Sequence, residues 1–103
     1  MINLINKERW KNEGTDWIKF EYEMPIKNGE MIASVITKFN KYGGSYKPYT
    51  TTVYVSPWEK ANHRSYKFHA LFSLYDNWEA EMLRKSEFAP AFEEALKQVK
   101  LEV

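Results

Sequence analysis

The sequence contains no cysteine, which excludes disulfide scaffolds, thiolate metal sites and cysteine nucleophiles. No apolar run approaches the length of a membrane span, and the first ten residues lack the apolar core of a signal peptide. We therefore expect no membrane association, and a cytoplasmic protein of a cell, or of a phage that infects one, is the natural interpretation. Only three arginines stand beside twelve lysines, which disfavours sequence-specific reading of base edges, where arginine dominates.

Signatures of chemistry are also lacking. The two histidines, His63 and His69, have no third ligand within sequence reach, so no zinc site is expected. Glu21 and Glu23 could join His69 in acid–base work, but paired glutamates on an outward strand face are ordinarily solvated. The one glycine pair lacks the strand–turn–helix context of a phosphate-binding loop. We expect a protein that is not an enzyme and takes no cofactor or metal.

What the sequence has in excess is aromatic residues. They make up 17% of its 103 residues, more than packing alone usually demands, beside 44% hydrophobic and 28% charged residues. Such a chain is long enough to form a single domain, residues 1–103, with a sizeable core. The surplus of rings suits a protein that presents them at a surface.

The stretch from Trp17 to Asn40 predicts a β-hairpin. Asn28-Gly29 stands between two alternating apolar runs, and both residues tolerate the positive φ of a type I′ turn. A two-residue loop fixes the register, so Phe20 falls opposite Thr37. One face of the hairpin is then apolar and interrupted only by Thr37; its members are Ile18, Phe20, Tyr22, Met24, Ala33, Val35 and Phe39.

The remaining chain predicts two further strands and helices at the C-terminus. The expected order is a short helix over residues 7–12, the hairpin, a loop over residues 41–48, strands over residues 49–56 and 65–75, and helices after Asp76-Asn77. Together these give an α+β fold, a four-stranded antiparallel meander sheet with C-terminal helices packed on one face. The other face stays available. In its order of elements, four strands and then helix, the chain resembles the units of several single-stranded DNA-binding folds, the Whirly-like proteins among them.

The middle of the chain is basic and rich in rings. Residues 38–69 carry six basic side chains against one acidic, and both flanking segments are net acidic. Cations that neutralise phosphates and rings that stack on unpaired bases suit single-stranded nucleic acid. The alternative is an ordinary solvated surface. The candidate nucleic-acid-binding residues are Lys38, Lys41, Tyr42, Tyr46, Lys47, Tyr49, Trp58, Lys60, Arg64 and Lys67.

The uncovered face of the predicted sheet offers a second candidate site. By strand alternation, apolar residues point there, and exposed together they would be typical of a protein partner or of a homodimer. The candidate interface residues are Trp17, Ile36, Leu71 and Tyr75. The alternative, equally compatible with the sequence, is that the N-terminal segment covers them.

Two main hypotheses for function follow. The leading one is a small non-enzymatic protein that binds single-stranded DNA or RNA through the basic, aromatic middle, as a monomer or a homodimer. Its binding should weaken steeply with salt and fall when Lys47 and Arg64 become Ala. The alternative is a protein-binding inhibitor or adaptor, of the compact kind that phages encode. That binding should depend little on salt and be lost on Trp17→Ala or Ile36→Asp.

Overall fold

Residues 1–57, 64–68 and 78–102 are described by a computed structural model. Five strands, β1 (Asn3–Asn12), β2 (Thr15–Ile26), β3 (Met31–Tyr42), β4 (Ser45–Pro57) and β5 (Arg64–Phe68), form one antiparallel sheet in chain order. Two helices follow, α1 (Trp78–Arg84) and α2 (Ala89–Val99). The predicted α+β fold and its antiparallel meander are confirmed, and the sheet has one more strand than expected.

The hairpin that joins β2 to β3 has the predicted turn and register. Asn28 has φ 57° and ψ 31°, Gly29 has φ 88°, and the Glu30 amide donates a hydrogen bond of 3.1 Å to the Lys27 carbonyl. These are the angles of a type I′ turn, whose twist matches that of the flanking strands. The pairing then places Phe20 opposite Thr37, as expected.

The same device closes the two neighbouring hairpins. Glu13-Gly14 joins β1 to β2 with φ values of 51° and 79°, and Gly43-Gly44 joins β3 to β4 with φ values of 62° and 89°. In each turn the second residue is glycine, for which positive φ carries no steric penalty. Three tight turns in succession therefore stack β1 to β4 side by side.

The predicted N-terminal helix is wrong, since β1 occupies this segment and pairs with β2 from Asn3–Glu23 to Asn12–Thr15. A six-residue helix is marginal on its own, whereas the edge of β2 supplies a partner for the backbone groups of the whole segment. Because β1 lies beside β2, the N-terminal segment widens the sheet and does not lie across it.

The predicted loop over residues 41–48 is also shorter than expected, since only Gly43 and Gly44 separate β3 from β4. The register shifts between Lys38, which faces Thr50, and Phe39, which faces Pro48, so Tyr49 is an extra residue in a β-bulge. Proline has no N–H to donate and is tolerated in sheets at such bulges. The predicted strand over residues 65–75 is present as β5 up to Phe68, and its remainder lies outside the described residues.

The core lies between the sheet and the helices. Every apolar residue predicted for one face of the hairpin is buried, and in the same cluster are Val53 and Val55 of β4, Leu83 of α1 and Phe92 of α2. Helix α2 contacts β2, β3 and β4, and α1 contacts β5. Burial of each large side chain contributes about 1.5–3 kcal/mol.

The segment after α2 is tied to β1. Lys7 Nζ lies 2.9 Å from Glu102 Oε2, and Arg9 pairs with the same carboxylate. By the pairing of β1 with β2, Lys7 and Arg9 lie on the same face as Phe20 and Ile18, which is the core face. The tail after α2 therefore lies on the core face of the sheet. We call the other side the open face, since no element within the described ranges lies across it.

Candidate functional site

The strand register orders the open face into rows. Residues paired across antiparallel strands project from the same face, so each row crosses the sheet from β1 to β4. The first row is Trp10, Trp17, Asn40 and Lys47; the second is Glu8, Lys19, Lys38 and Thr50; the third is Asn6, Glu21, Ile36 and Thr52; and the fourth is Asn3, Glu23, Ser34 and Tyr54.

Aromatic rings gather at one end of this face and continue along β4. Trp10 stacks on Trp17 with ring centroids 5.8 Å apart and planes 11° apart. Tyr49, in the bulge, meets Trp17 edge-on, with centroids 4.9 Å apart. Trp10, Tyr49 and Tyr54 are 36%, 41% and 43% exposed, respectively. Trp10 and Tyr49 are therefore held against Trp17, and both of these rings and that of Tyr54 are reachable from solvent.

The rings line a groove of about 600 Å³ on the open face. We call it the aromatic groove, and its lining is Trp10, Asn12, Trp17, Lys38, Tyr49, Thr50, Thr52 and Tyr54. The polar members can donate and accept hydrogen bonds, and Lys38 adds a positive charge. A planar, partly polar and negatively charged molecule would fit this lining best.

The lysines of the open face differ in whether their charge is already paired. Lys19 Nζ lies 3.2 Å from Glu8 Oε2, so its charge is matched. Lys38 is exposed and Lys47 half-buried, and neither forms an ion pair with any side chain that the structure describes. Their positive charge is therefore free to meet an anion at the groove.

Negative charge lies to one side of the groove. Glu21 and Glu23, which we call the acidic flank, are half-buried on the open face of β2, in the third and fourth rows. Neither is paired with a cation among the side chains described. In the same rows β4 carries Thr52 and Tyr54 of the groove. Free charges of opposite sign thus lie on different strands of one surface.

The predicted nucleic-acid-binding residues divide between the two faces. Lys38 and Tyr49 line the groove, and Lys47 lies in its first row. Lys41 and Tyr46 lie on the core face, where Lys41 Nζ sits 5.3 Å from the Tyr46 ring centroid. Both also line a smaller hollow of about 300 Å³ at the sheet end, together with Trp10 and Trp17.

The other predicted residues are placed only by strand pairing or not at all. Tyr42 pairs with Ser45 at the end of β3, Arg64 pairs with Val55, and Lys67 pairs with Thr52, in the third row. Of the predicted interface residues, Trp17 and Ile36 are on the open face and half-buried. The predicted nucleic-acid-binding residues Trp58 and Lys60 and the predicted interface residues Leu71 and Tyr75 lie outside the described residues.

Two rings of the groove, Trp10 and Tyr54, are not among the residues predicted from the sequence, and neither are its polar residues Asn12, Thr50 and Thr52. The sequence predicts a helix at Trp10, and at Tyr54 it predicts a strand with no part in a site. A signal for Trp10 does exist, since a two-residue turn at Glu13-Gly14 pairs it with Trp17. Recognising that turn would have placed two tryptophans side by side.

None of the helices within the described ranges is long and apolar enough to cross a membrane. Among the same residues, no three acidic or histidine side chains are grouped closely enough to hold a metal ion. No family model matches the chain, and its comparison with curated proteins and with solved structures gave no match either.

Proposed function

We propose that this chain is a small, non-enzymatic, cytoplasmic protein that binds single-stranded DNA or RNA in the aromatic groove. The observation that supports the proposal is the free cation Lys38 inside a groove lined by four aromatic rings. Each base stacked on an aromatic side chain contributes about 1–3 kcal/mol, and lysine binds phosphate as a point charge. Unpaired bases are required, because in a duplex their faces are already stacked.

The proposed binding is tolerant of sequence. Stacking accepts any base, and bidentate recognition of base edges by arginine has no counterpart among the groove residues. The hydroxyl groups of Thr50 and Thr52 and the amide of Asn12 can form hydrogen bonds with sugars or base edges. These contacts would orient the strand and leave its sequence largely free.

The test is the affinity of fluorescently labelled oligothymidylate and oligouridylate, measured by anisotropy at low salt. Tyr54→Thr removes an exposed ring and keeps a residue that favours strands, so affinity should fall about fivefold to 150-fold. Lys38→Ala should weaken binding and reduce the slope of log affinity against log salt by about 0.7. Lys100→Ala, which removes an exposed lysine after α2, is the charge-matched control.

Circular dichroism verifies the fold of each variant. Absence of binding to either oligonucleotide would refute the proposal, and so would an equal effect of Lys38→Ala and Lys100→Ala. In that second case the affinity would reflect only the net charge of the protein.

The alternative is a protein-binding inhibitor or adaptor that uses the apolar part of the open face. It is favoured by Ile32 and Ile36, which lie half-buried on this face beside the groove. Such a partner should bind with little dependence on salt and be lost on Ile36→Asp, while Lys38→Ala leaves it bound. A second copy of the chain as partner would appear as a mass that rises with protein concentration.

A further inference from the structure

We infer that a bound single strand follows one diagonal path along the aromatic groove, from Trp10 on β1 to Tyr54 on β4, and that the acidic flank bars phosphates from the adjoining part of the open face. This inference rests on the proposed function and adds to it the path and length of the site. It assigns Glu21 and Glu23 a role in limiting where the strand lies.

The length of the path follows from the sheet. The path begins at Trp10, in the first row on β1, and ends at Tyr54, in the fourth row on β4, so it crosses three strand spacings and three row spacings. Strands lie ~4.8 Å apart, and successive rows on one face are two residues apart at a rise of ~3.4 Å per residue, so the diagonal is roughly 25 Å. A stacked strand that rises ~3.4 Å per nucleotide would place about seven nucleotides on it.

The charges favour this diagonal over other paths. In the third and fourth rows, β2 carries the carboxylates of Glu21 and Glu23, β3 carries uncharged Ile36 and Ser34, and the groove lies on β4. In these two rows, two strand spacings, about 10 Å, separate the flank from the groove. This distance is close to the screening length at 0.1 M salt, so a phosphate in the groove meets little repulsion.

A nucleic-acid strand displaced toward β2 would be repelled by the acidic flank. Its phosphates would lie beside two unpaired carboxylates, and like charges at a few ångströms repel strongly. Lys19, the cation of β2 in the second row, is already paired with Glu8 and offers little compensation. A longer strand therefore gains no further contacts by spreading across the open face.

The experiment is a length series of oligothymidylates from two to twenty nucleotides, measured by anisotropy in about 0.1 M salt. A longer oligomer can occupy the site in several alternative registers, so each affinity is divided by that number. For the unmodified protein, the corrected affinity should increase with oligomer length up to about seven nucleotides and then stay constant. Glu21→Gln/Glu23→Gln should bind the longer oligomers about threefold to tenfold more tightly and level off at a greater length. Glu81→Gln/Glu87→Gln changes the net charge equally at exposed helix-side positions and should change affinity less than about twofold.

The outcomes separate the inference from the proposed function. If no oligomer binds, both are refuted. If oligomers bind but affinity keeps rising to twenty nucleotides, the diagonal path is overturned and binding in the groove stands. The same holds if the flank variant and the helix-side control behave alike. The length series uses the unmodified protein, so it decides the matter even if a variant fails to fold.

Discussion

A pair of threonines inside the core gives the sharpest test of the fold. Thr37 on β3 and Thr51 on β4 face each other, with their Oγ1 atoms 3.1 Å apart. Their side chains are 1% and 0% exposed, among apolar neighbours such as Val35 and Val53. Thr37 is the single polar residue in the predicted apolar face of the hairpin, and Thr51 gives its hydroxyl a partner.

We expect the two hydroxyls to contribute to stability only as a pair. Thr37→Val or Thr51→Val keeps the shape of the side chain and leaves the other hydroxyl buried without that partner, which costs about 1–3 kcal/mol of unfolding free energy. Replacing both by Val removes both polar groups from the core, and the double variant should lie within about 1 kcal/mol of the unmodified protein. The coupling in the double-mutant cycle should then exceed about 1 kcal/mol.

The cycle is measured by urea unfolding followed by tryptophan fluorescence, with all four proteins at one pH and one salt concentration. Thr52→Val, the same change on the open face of the same strand, is the control and should shift the free energy by about 0.5 kcal/mol or less. If the two single losses simply add in the double variant, the hydroxyls are not coupled and the account of this pair is refuted.

Two further predictions concern a turn and a buried phenol. Glu13 has φ 51°, which is costly for a residue with a Cβ, and asparagine tolerates this angle better. Glu13→Asn should therefore raise the unfolding free energy, measured by thermal unfolding, by about 0.5–1 kcal/mol. Glu30→Asn is the control and should give no such gain, because Glu30 has φ −73°. Burial and then the charge of Glu94 raise the pKa of Tyr22 above 10.0, so the folded state holds the phenol proton more tightly than the unfolded state does. The stability that this difference in pKa contributes is complete below pH 10 and is lost as pH rises through the raised pKa. Above pH 10, Tyr22→Phe should therefore lose less unfolding free energy than the unmodified protein does. Urea unfolding of both proteins at paired pH values measures this difference. Equal losses would show that another group is responsible.

The central hairpin could be predicted because its determinants are local. Asn28-Gly29 selects a type I′ turn, the turn fixes the register, and the register places the whole predicted apolar set, from Ile18 to Phe39, on one buried face. A slip of one residue would have turned Phe20 and Val35 toward water. Here the residue types of the turn and the apolar alternation of the strands favour the same structure, so residues close in sequence are sufficient to predict the hairpin.

The first strand could not be predicted in the same way. Glu13 is not a residue type that favours positive φ, and residues 7–11 contain lysine, glutamate and arginine, which are all good helix formers. What makes this segment a strand is the edge of β2, a tertiary partner that local propensity does not include. One regularity in the sequence was informative, because Gly14, Gly29 and Gly44 recur at equal spacing and each closes a hairpin.

The composition of the candidate site depends on one inserted residue. Uninterrupted alternation along β4 would place Tyr49 and Lys47 on the same face as Val53, in the core, and Tyr46 on the open face. The bulge inverts this order, so that Tyr49 meets Trp17, Lys47 joins the first row, and Tyr46 packs against the core. Pro48 is the only local trace of the bulge, since it cannot donate a ladder hydrogen bond. A count of rings and cations could identify the basic, aromatic middle, but only the register shift determines which of them share a surface.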